Sequence, residues 1–163
     1  GNLFYYKAVA DASRYFPVYS NIVFSIHGQA GFIQDMSDGN ATLFEGFLVG
    51  GINTVRGFEY GKAGSTGPVG DIILANKEFI FNAELLYPLV KDVNLKGVVF
   101  FDAGRGFDVG EEVRLDALRI SAGFGFRWVI PNLGPIRFEW GYNLAPLPWE
   151  ARSRFDFSIG SVF

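Results

Sequence analysis

The sequence predicts an all-β fold, a transmembrane antiparallel β-barrel of which this chain supplies about seven strands. Three observations lead to this prediction. Apolar and polar side chains alternate with a period of two along most of the 163 residues, which places them on opposite faces of strands. The alternating segments are about ten residues long, the length of a tilted strand that crosses a bilayer. Short and long connections follow one another in turn, as in outer-membrane barrels.

The composition excludes several other classes of protein. The chain is 49% hydrophobic and 19% charged, with 18 Phe and 21 Gly, which argues against disorder and against a coiled coil. Its net charge of -3 provides no basic stripe for nucleic acid. With no Cys and one histidine, His27, we expect no disulfide, metal site or cofactor. No apolar run of about 18 residues is present to form a transmembrane helix.

Seven segments show the alternation, and we predict them as strands in chain order: 4–16, 21–34, 78–89, 94–104, 118–130, 136–144 and 155–163. The first is the weakest, because it contains several Ala. The fifth is the clearest, since Phe124, Phe126 and Trp128 share one face. Arg119 and Arg127 occupy the opposite face of the same strand. The predicted connections alternate in length and comprise residues 17–20, 35–77, 90–93, 105–117, 131–133 and 145–153.

Periodicity alone leaves two environments open for the apolar face. In a water-soluble sandwich it would form the core, whereas in a membrane barrel it would contact lipid and the polar face would line the lumen. Aromatic residues near the strand ends, and strands longer than the usual five or six residues, favour the membrane. Several charged residues are then predicted to form a stabilising ladder in the lumen: Lys96, Arg119, Arg127, Arg137 and Glu139.

Seven strands is an odd number, whereas bacterial single-chain barrels have an even number, with eight the smallest. Either residues 41–49 supply an eighth strand or the chain is part of a larger barrel. Open sheet edges do not persist in hydrocarbon, because each unpaired backbone group costs several kcal/mol. The missing part of a longer chain, or self-association with another copy, would therefore have to pair with these edges.

The connection 35–77 contains the most unusual sequence, FEGFLVGGINTVRGFEYG over residues 44–61. Loops of this length are usually functional or disordered, and the aromatic and Gly content argues against disorder. Glycines on both sides of Arg56 would let the backbone turn sharply. From the spacing alone, a Gly-rich extracellular turn with a solvated arginine explains the string as well as a functional loop does.

This string resembles the loop signature of the BamA/TamA superfamily of outer-membrane assembly and secretion barrels. The matching residues are Phe44-Glu45, Gly50-Gly51 and Val55-Arg56-Gly57-Phe58. Five further segments are similar, in order, to the strands that follow that loop: 82–89, 100–104, 121–127, 134–141 and 157–163. The resemblance extends over about residues 21–163 and is nearest to the BamA branch of the superfamily.

The resemblance implies a sixteen-stranded barrel whose large loop folds back into the lumen. It assigns loop anchoring to Val55, Arg56, Gly57 and Phe58, with Arg56 paired to the acidic wall residues Glu84 and Asp102. The period-two pattern independently places both acids on the lumenal face. Arginine suits this role because its planar guanidinium can bind a carboxylate through two hydrogen bonds.

The last predicted strand ends in alternating apolar residues, Phe157, Ile159 and Phe163. This pattern resembles the terminal signal by which outer-membrane barrels are recognised for insertion. Ordinary lipid-facing positions at the membrane interface would explain the same residues, and both explanations can hold together.

The resemblance also implies a domain assignment and a function. Residues 1–163 would form a C-terminal barrel region, without the upstream strands and periplasmic domains of the family. The expected function is to form part of a factor that inserts and folds β-barrel proteins in the bacterial outer membrane. Its expected partners are outer-membrane lipids, unfolded outer-membrane proteins and accessory assembly proteins. A polypeptide-secretion barrel and a small structural barrel remain alternatives. An enzyme is not expected, since no nucleophile motif is present.

Overall fold

The computed structural model describes residues 4–36, 41–67 and 70–160. Seven strands form one antiparallel sheet in chain order. They are β1 (Tyr5–Tyr19), β2 (Ile22–Asp35), β3 (Lys77–Val90), β4 (Leu95–Phe107), β5 (Arg119–Ile130), β6 (Gly134–Asn143) and β7 (Ser153–Ile159). A short helix, α1 (Ala41–Glu45), follows β2, and a 3-10 turn (Leu115–Ala117) precedes β5.

The all-β, antiparallel prediction is confirmed, and the sheet is not closed. Each strand pairs only with its neighbours in sequence, so within the described residues β1 and β7 are its two edges. An open sheet of this kind is the arrangement expected of part of a larger barrel. No helix in the described ranges has the length and apolar run needed to cross a membrane.

An eighth strand over residues 41–49 is not formed, so that alternative was wrong. The segment begins with α1, closed by a hydrogen bond from the Gly46 amide to the Thr42 carbonyl, and Phe47 then forms an isolated bridge with Ala75. The physical reason is that both edges of β2 are already paired, with β1 and with β3. The segment that follows β2 therefore has no adjacent edge to join.

The first short turn is tighter than predicted. β1 continues through Pro17 to Tyr19, with a bulge between these residues, and the turn consists of Ser20 and Asn21. Proline lacks an N–H group, and a bulge is one of the places where a strand tolerates it. The left-handed backbone at Ser20, with φ of 51°, completes the reversal.

Burial is inverted relative to a water-soluble sandwich. Phe124, Phe126 and Trp128 are 51%, 48% and 42% exposed. Their polar counterparts on the other face are buried, with Asp102 at 0% and Glu139 at 1%. The apolar face therefore points outward and the polar face encloses the interior, as in a membrane-spanning barrel.

This orientation predicts the effect of a charge placed at the middle of β5. We expect Phe124→Lys to lower the free energy of unfolding in lipid vesicles by about 2–4 kcal/mol, because the ammonium group would lie near the bilayer midplane. The measurement is urea-induced unfolding of the protein in vesicles.

Val109→Lys is the control for Phe124→Lys, since Val109 is 66% exposed in the connection after β4. We expect a change within about 0.5 kcal/mol. Equal losses in the two variants would contradict a lipid-facing Phe124.

Candidate functional site

The connection between β2 and β3 folds back against the polar face of the sheet. Backbone hydrogen bonds between Phe47 and Ala75, of 2.7 and 3.0 Å, join its two ends. Between them, Val49 and Val55 are almost completely buried, and they form a hydrophobic cluster with Ile80 of β3. Burying apolar side chains in this way fixes a segment that has almost no regular secondary structure.

The tip of this connection is a tight turn over residues 50–55. The Gly51 amide donates to the Val55 carbonyl at 3.0 Å, and the Gly50 amide donates to Thr54 Oγ1 at 2.8 Å. Both glycines have left-handed backbones, with φ of 123° and 99°, which other residues rarely adopt. The turn places Arg56 at the surface of the tip that faces the sheet.

The structure brings Arg56 together with both acids named from the sequence. Its Nε and Nη2 donate to Asp102 Oδ2 and Oδ1 at 2.7 and 2.6 Å, a two-bond pairing with one carboxylate. Its backbone amide also donates to Asp102 Oδ2 at 3.0 Å. Its Nη1 donates to Glu84 Oε1 at 2.6 Å and to Glu139 Oε2 at 3.0 Å.

Two contacts of Arg56 were not predicted from the sequence. Glu139 was placed in the charge ladder but was not identified as a direct partner. The ring of Phe100 lies 3.7 Å from the Arg56 guanidinium carbon, within range of a cation–π interaction. The alternation that places Asp102 in the lumen also places Phe100 there, so the signal was present in the sequence.

The charge of Arg56 is stabilised despite its burial. Desolvation disfavours a charged guanidinium, but the hydrogen bonds and charge of Asp102, and then the charges of Glu139 and Glu84, outweigh it. They raise the pKa of Arg56 above its ordinary value. Arg56 therefore keeps its charge in this site.

Two arginines on the polar face of the sheet, which forms the lumenal wall, complete the network of ion pairs around Arg56. Arg127 donates to Glu84 at 2.9 and 2.6 Å and to Glu139 at 2.7 Å. Arg137 donates to both oxygens of Glu139, at 3.2 and 2.9 Å. Three guanidinium groups thus balance three carboxylates. Of the other predicted ladder residues, Lys96 is exposed, and Arg119 pairs with Glu150.

Arg137 also binds the loop directly. Its Nη2 donates to the Ile52 carbonyl at 3.0 Å, and its Nη1 donates to Asn53 Oδ1 at 3.1 Å. Arg56 of the loop therefore binds carboxylates on the polar face of the sheet, and Arg137 of the sheet binds the turn of the loop. Asn82 adds a third link, from its Nδ2 to the Thr54 carbonyl at 2.7 Å.

The backbone of the loop touches the backbone of β6 at two glycines. A Cβ atom built on Gly141 would lie 2.5 Å from the amide nitrogen of Gly57, closer than real Cβ contacts allow. Gly57 also has a left-handed φ of 83°. Both positions require glycine if the loop is to lie against β6 in this way.

Phe58 extends the contact toward the connection after β6. Its side chain is 3% exposed, and the Arg119 guanidinium lies 5.2 Å from its ring centre. Arg119 pairs with Glu150, which also accepts from Asn143 Nδ2 at 3.1 Å. The predicted loop-anchoring residues are therefore all placed at the interface between the loop and the wall.

The predicted terminal-signal residues lie apart from this interface. Phe157 and Ile159 are each 51% exposed on the outward face of β7. Phe157 packs on Phe138 of β6, with ring centres 4.5 Å apart. Phe163 lies outside the described residues.

The comparisons with known proteins agree with this architecture. A family model described as the Omp85 superfamily domain matches residues 1–163. The outer membrane protein assembly factor BamA of Nitratidesulfovibrio vulgaris is 31% identical over 161 residues, covering 96% of this chain and 20% of the relative. The factor of the same name from Neisseria meningitidis is 29% identical, covering 98% of this chain and 24% of the relative.

A plastid protein and a solved structure are also similar. Outer envelope protein 80 of Arabidopsis thaliana, described as chloroplastic, is 30% identical over 82% of this chain and 18% of the relative. The crystal structure of BamA from Haemophilus ducreyi lacking POTRA domains 1–3 matches 94% of this chain and 34% of that chain, with a TM-score of 0.78. At 21% identity, this match shows similarity of fold. The chain spans a quarter or less of the length of these curated relatives.

The network predicts a large cost for removing Arg56. We expect Arg56→Ala to destabilise the protein by about 3–5 kcal/mol, because buried carboxylates lose their cation. Arg56→Glu should be worse, since it adds a fourth carboxylate. The measurements are heat-modifiable gel mobility and protease sensitivity of the loop.

Lys62→Ala is the control for the Arg56 variants, because Lys62 lies in the same loop and forms an exposed pair with Glu59. We expect a change of about 1 kcal/mol or less. If Arg56→Ala left both mobility and loop cleavage at the parent values, the loop would not depend on this residue.

The two glycines predict a purely steric effect. We expect Gly141→Ala to displace the loop and to destabilise the protein by about 1–3 kcal/mol, since the new methyl group meets backbone atoms. Faster proteolysis of the loop would report the displacement.

Gly28→Ala on β2 is the matched control for Gly141→Ala, because a Cβ there meets no atom within 4 Å. The loop of this variant should be cleaved at the parent rate. Equal cleavage of the loop in the two variants would rule out a tight approach at Gly141.

Proposed function

Because the chain belongs to the Omp85 superfamily, we propose that it forms part of a factor that inserts and folds β-barrel proteins in the bacterial outer membrane. Within that factor, its specific contribution is to hold the long loop against the lumenal wall. The observation that carries this proposal is the binding of Arg56 by Asp102, Glu84 and Glu139. Two relatives that bear the name of such a factor support the assembly role.

The outer edge of β7, which is unpaired among the described residues, supports the same role. An unpaired strand edge can bind an incoming strand through main-chain hydrogen bonds. These bonds do not depend on the side chains of the incoming strand. This suits a protein that must accept many different unfolded outer-membrane proteins. In the proposed assembly, strands of a longer protein pair with β1, and self-association of two copies is the alternative. Outer-membrane lipids contact the exposed aromatic face, and accessory assembly proteins act as further partners.

Secretion of a polypeptide through the lumen is the rival within the superfamily. The bound loop argues against it, because the loop occupies the polar side of the sheet along which a chain would pass. A structural barrel without a transport role remains the alternative from another class. The network requires no catalytic chemistry, and we propose that the protein is not an enzyme.

An assembly assay tests the proposal. The complete protein in lipid vesicles should accelerate folding of a urea-denatured outer-membrane barrel, followed by its heat-modifiable mobility. Gly141→Ala should slow assembly several-fold by displacing the loop, whereas Gly28→Ala should retain the parent rate.

The same vesicles distinguish the alternatives. Protection of an added polypeptide from external protease, without membrane folding, would favour secretion. Unchanged assembly in a folded Gly141→Ala variant with a displaced loop would contradict the proposed role of the loop.

A further inference from the structure

The chain's one histidine lies between the edge strand and the loop-anchoring network. His27 belongs to β2 and faces the interior, with its side chain 28% exposed. Its Nδ1 is 2.8 Å from Asn82 Oδ1 on β3, and its Nε2 is 2.8 Å from Asp11 Oδ2 on β1. Each ring nitrogen of His27 therefore has an oxygen atom as its hydrogen-bonding partner.

The orientation of the Asn82 amide is fixed by its other contacts. Its Nδ2 lies 2.7 Å from the Thr54 carbonyl and 2.8 Å from Asp102 Oδ1. Both of these oxygens can only accept, so a rotated amide would set three oxygens against one another. The amide oxygen must therefore face His27, where it can only accept a hydrogen bond.

The contact with Asp11 requires a second donor. The Asp11 side chain is 55% exposed, so water can solvate its carboxylate charge. A carboxylate accepts hydrogen bonds, and a neutral imidazole has only one N–H group. To donate hydrogen bonds to Asn82 and to Asp11 at the same time, the His27 ring needs N–H groups at both Nδ1 and Nε2. The ring must therefore be protonated.

We propose that His27 is a positioning residue, held as an imidazolium, that ties β1 to the loop anchor and releases this tie when the ring loses a proton. The tie runs from Asp11 through the ring to Asn82, which binds the Thr54 carbonyl and Asp102. Asp102 in turn binds Arg56. One proton thus connects the sheet edge with the tip of the loop.

The charged groups around the His27 ring already have ion-pair partners, so the pH-dependent connection between β1 and the loop is assigned to His27. His27 lines an open pocket of about 670 Å³ on the polar face of the sheet. The other titratable groups that line it are Asp11 and Tyr15 of β1, Arg56 of the loop, Glu84 of β3, Arg127 of β5 and Arg137 of β6. The three arginines and Glu84 already pair with one another or with Glu139 and Asp102. Asp11 pairs with His27 itself.

The sign of the pH dependence follows from the bonds. The tie is complete while the ring carries both protons and donates one to Asn82 Oδ1 and the other to Asp11 Oδ2. As pH rises through the titration of His27, one bond is lost and a ring lone pair faces an acceptor oxygen. Histidine titrates in the physiological range, so the tie should loosen between mildly acidic and alkaline pH.

Nuclear magnetic resonance of the complete protein tests the charge state. With histidine labelled and the His27 signals assigned by their loss in His27→Gln, we expect two slowly exchanging ring N–H protons at mildly acidic pH. Asp11→Asn should retain the Nδ1–H signal and weaken the Nε2–H signal. One N–H proton or none in the parent would overturn the proposal.

Loop proteolysis tests the tie. In the parent, cleavage should be several-fold faster at pH 8.5 than at pH 5.5, and His27→Gln should abolish this difference. Gln29→Ala is the matched control, because Gln29 is the next interior residue of β2 and bonds to Glu78 instead. It should retain the parent's pH dependence, and an equal pH effect in parent and His27→Gln would overturn the tie.

This inference uses the loop anchor of the proposed function, but neither measurement depends on assembly activity. A protein that shows both ring protons and pH-dependent cleavage, yet does not accelerate barrel folding, would contradict the assembly role alone. Absence of the ring protons in an active assembly factor would contradict the tie alone.

Discussion

The rest of the structure depends on the burial of carboxylates on the polar wall. Asp102 is completely buried, and a buried carboxylate is strongly unfavourable without a cation and hydrogen bonds. Among the described residues, the cation paired with Asp102 is Arg56, which the sheet itself does not contain. The wall is therefore electrostatically complete only when the loop lies against it, so the fold of the loop and that of the wall are interdependent.

Charge alone would not place the loop so specifically. A cation on a flexible chain could approach the three carboxylates from several directions. In the structure, further contacts of the loop restrict Arg56 to one direction of approach. The backbone contact between Gly57 and Gly141 sets the depth of the loop, and the Arg137 bonds to Ile52 and Asn53 set its rotation. The planar guanidinium of Arg56 then fixes the angle through two parallel bonds to Asp102, which a lysine could not form.

The sequence predicts the sheet well because strand alternation is a local property. The outward Phe124 and the inward Glu84 and Asp102 follow from a period of two, and Arg56 was linked to both acids by family resemblance. The contributions of Glu139, Phe100 and Asn82 depend on which strands become neighbours of the loop tip, and this is not encoded in any one segment. The helix at 41–45 was missed because the choice between helix and strand depends on whether a sheet edge is available.

The distribution of these bonds leaves β7 less constrained than the centre of the sheet. The loop binds β3, β4 and β6 through charged groups, so opening any of them would expose or unpair a buried charge. β7 has only seven residues and pairs on one side, and its Arg154–Asp156 pair lies within the strand itself. Separating β7 from β6 would therefore leave the Arg56 network intact. Segments with few buried contacts open most readily, so β7 is the strand of the described sheet that can separate with the least effect on the loop anchor.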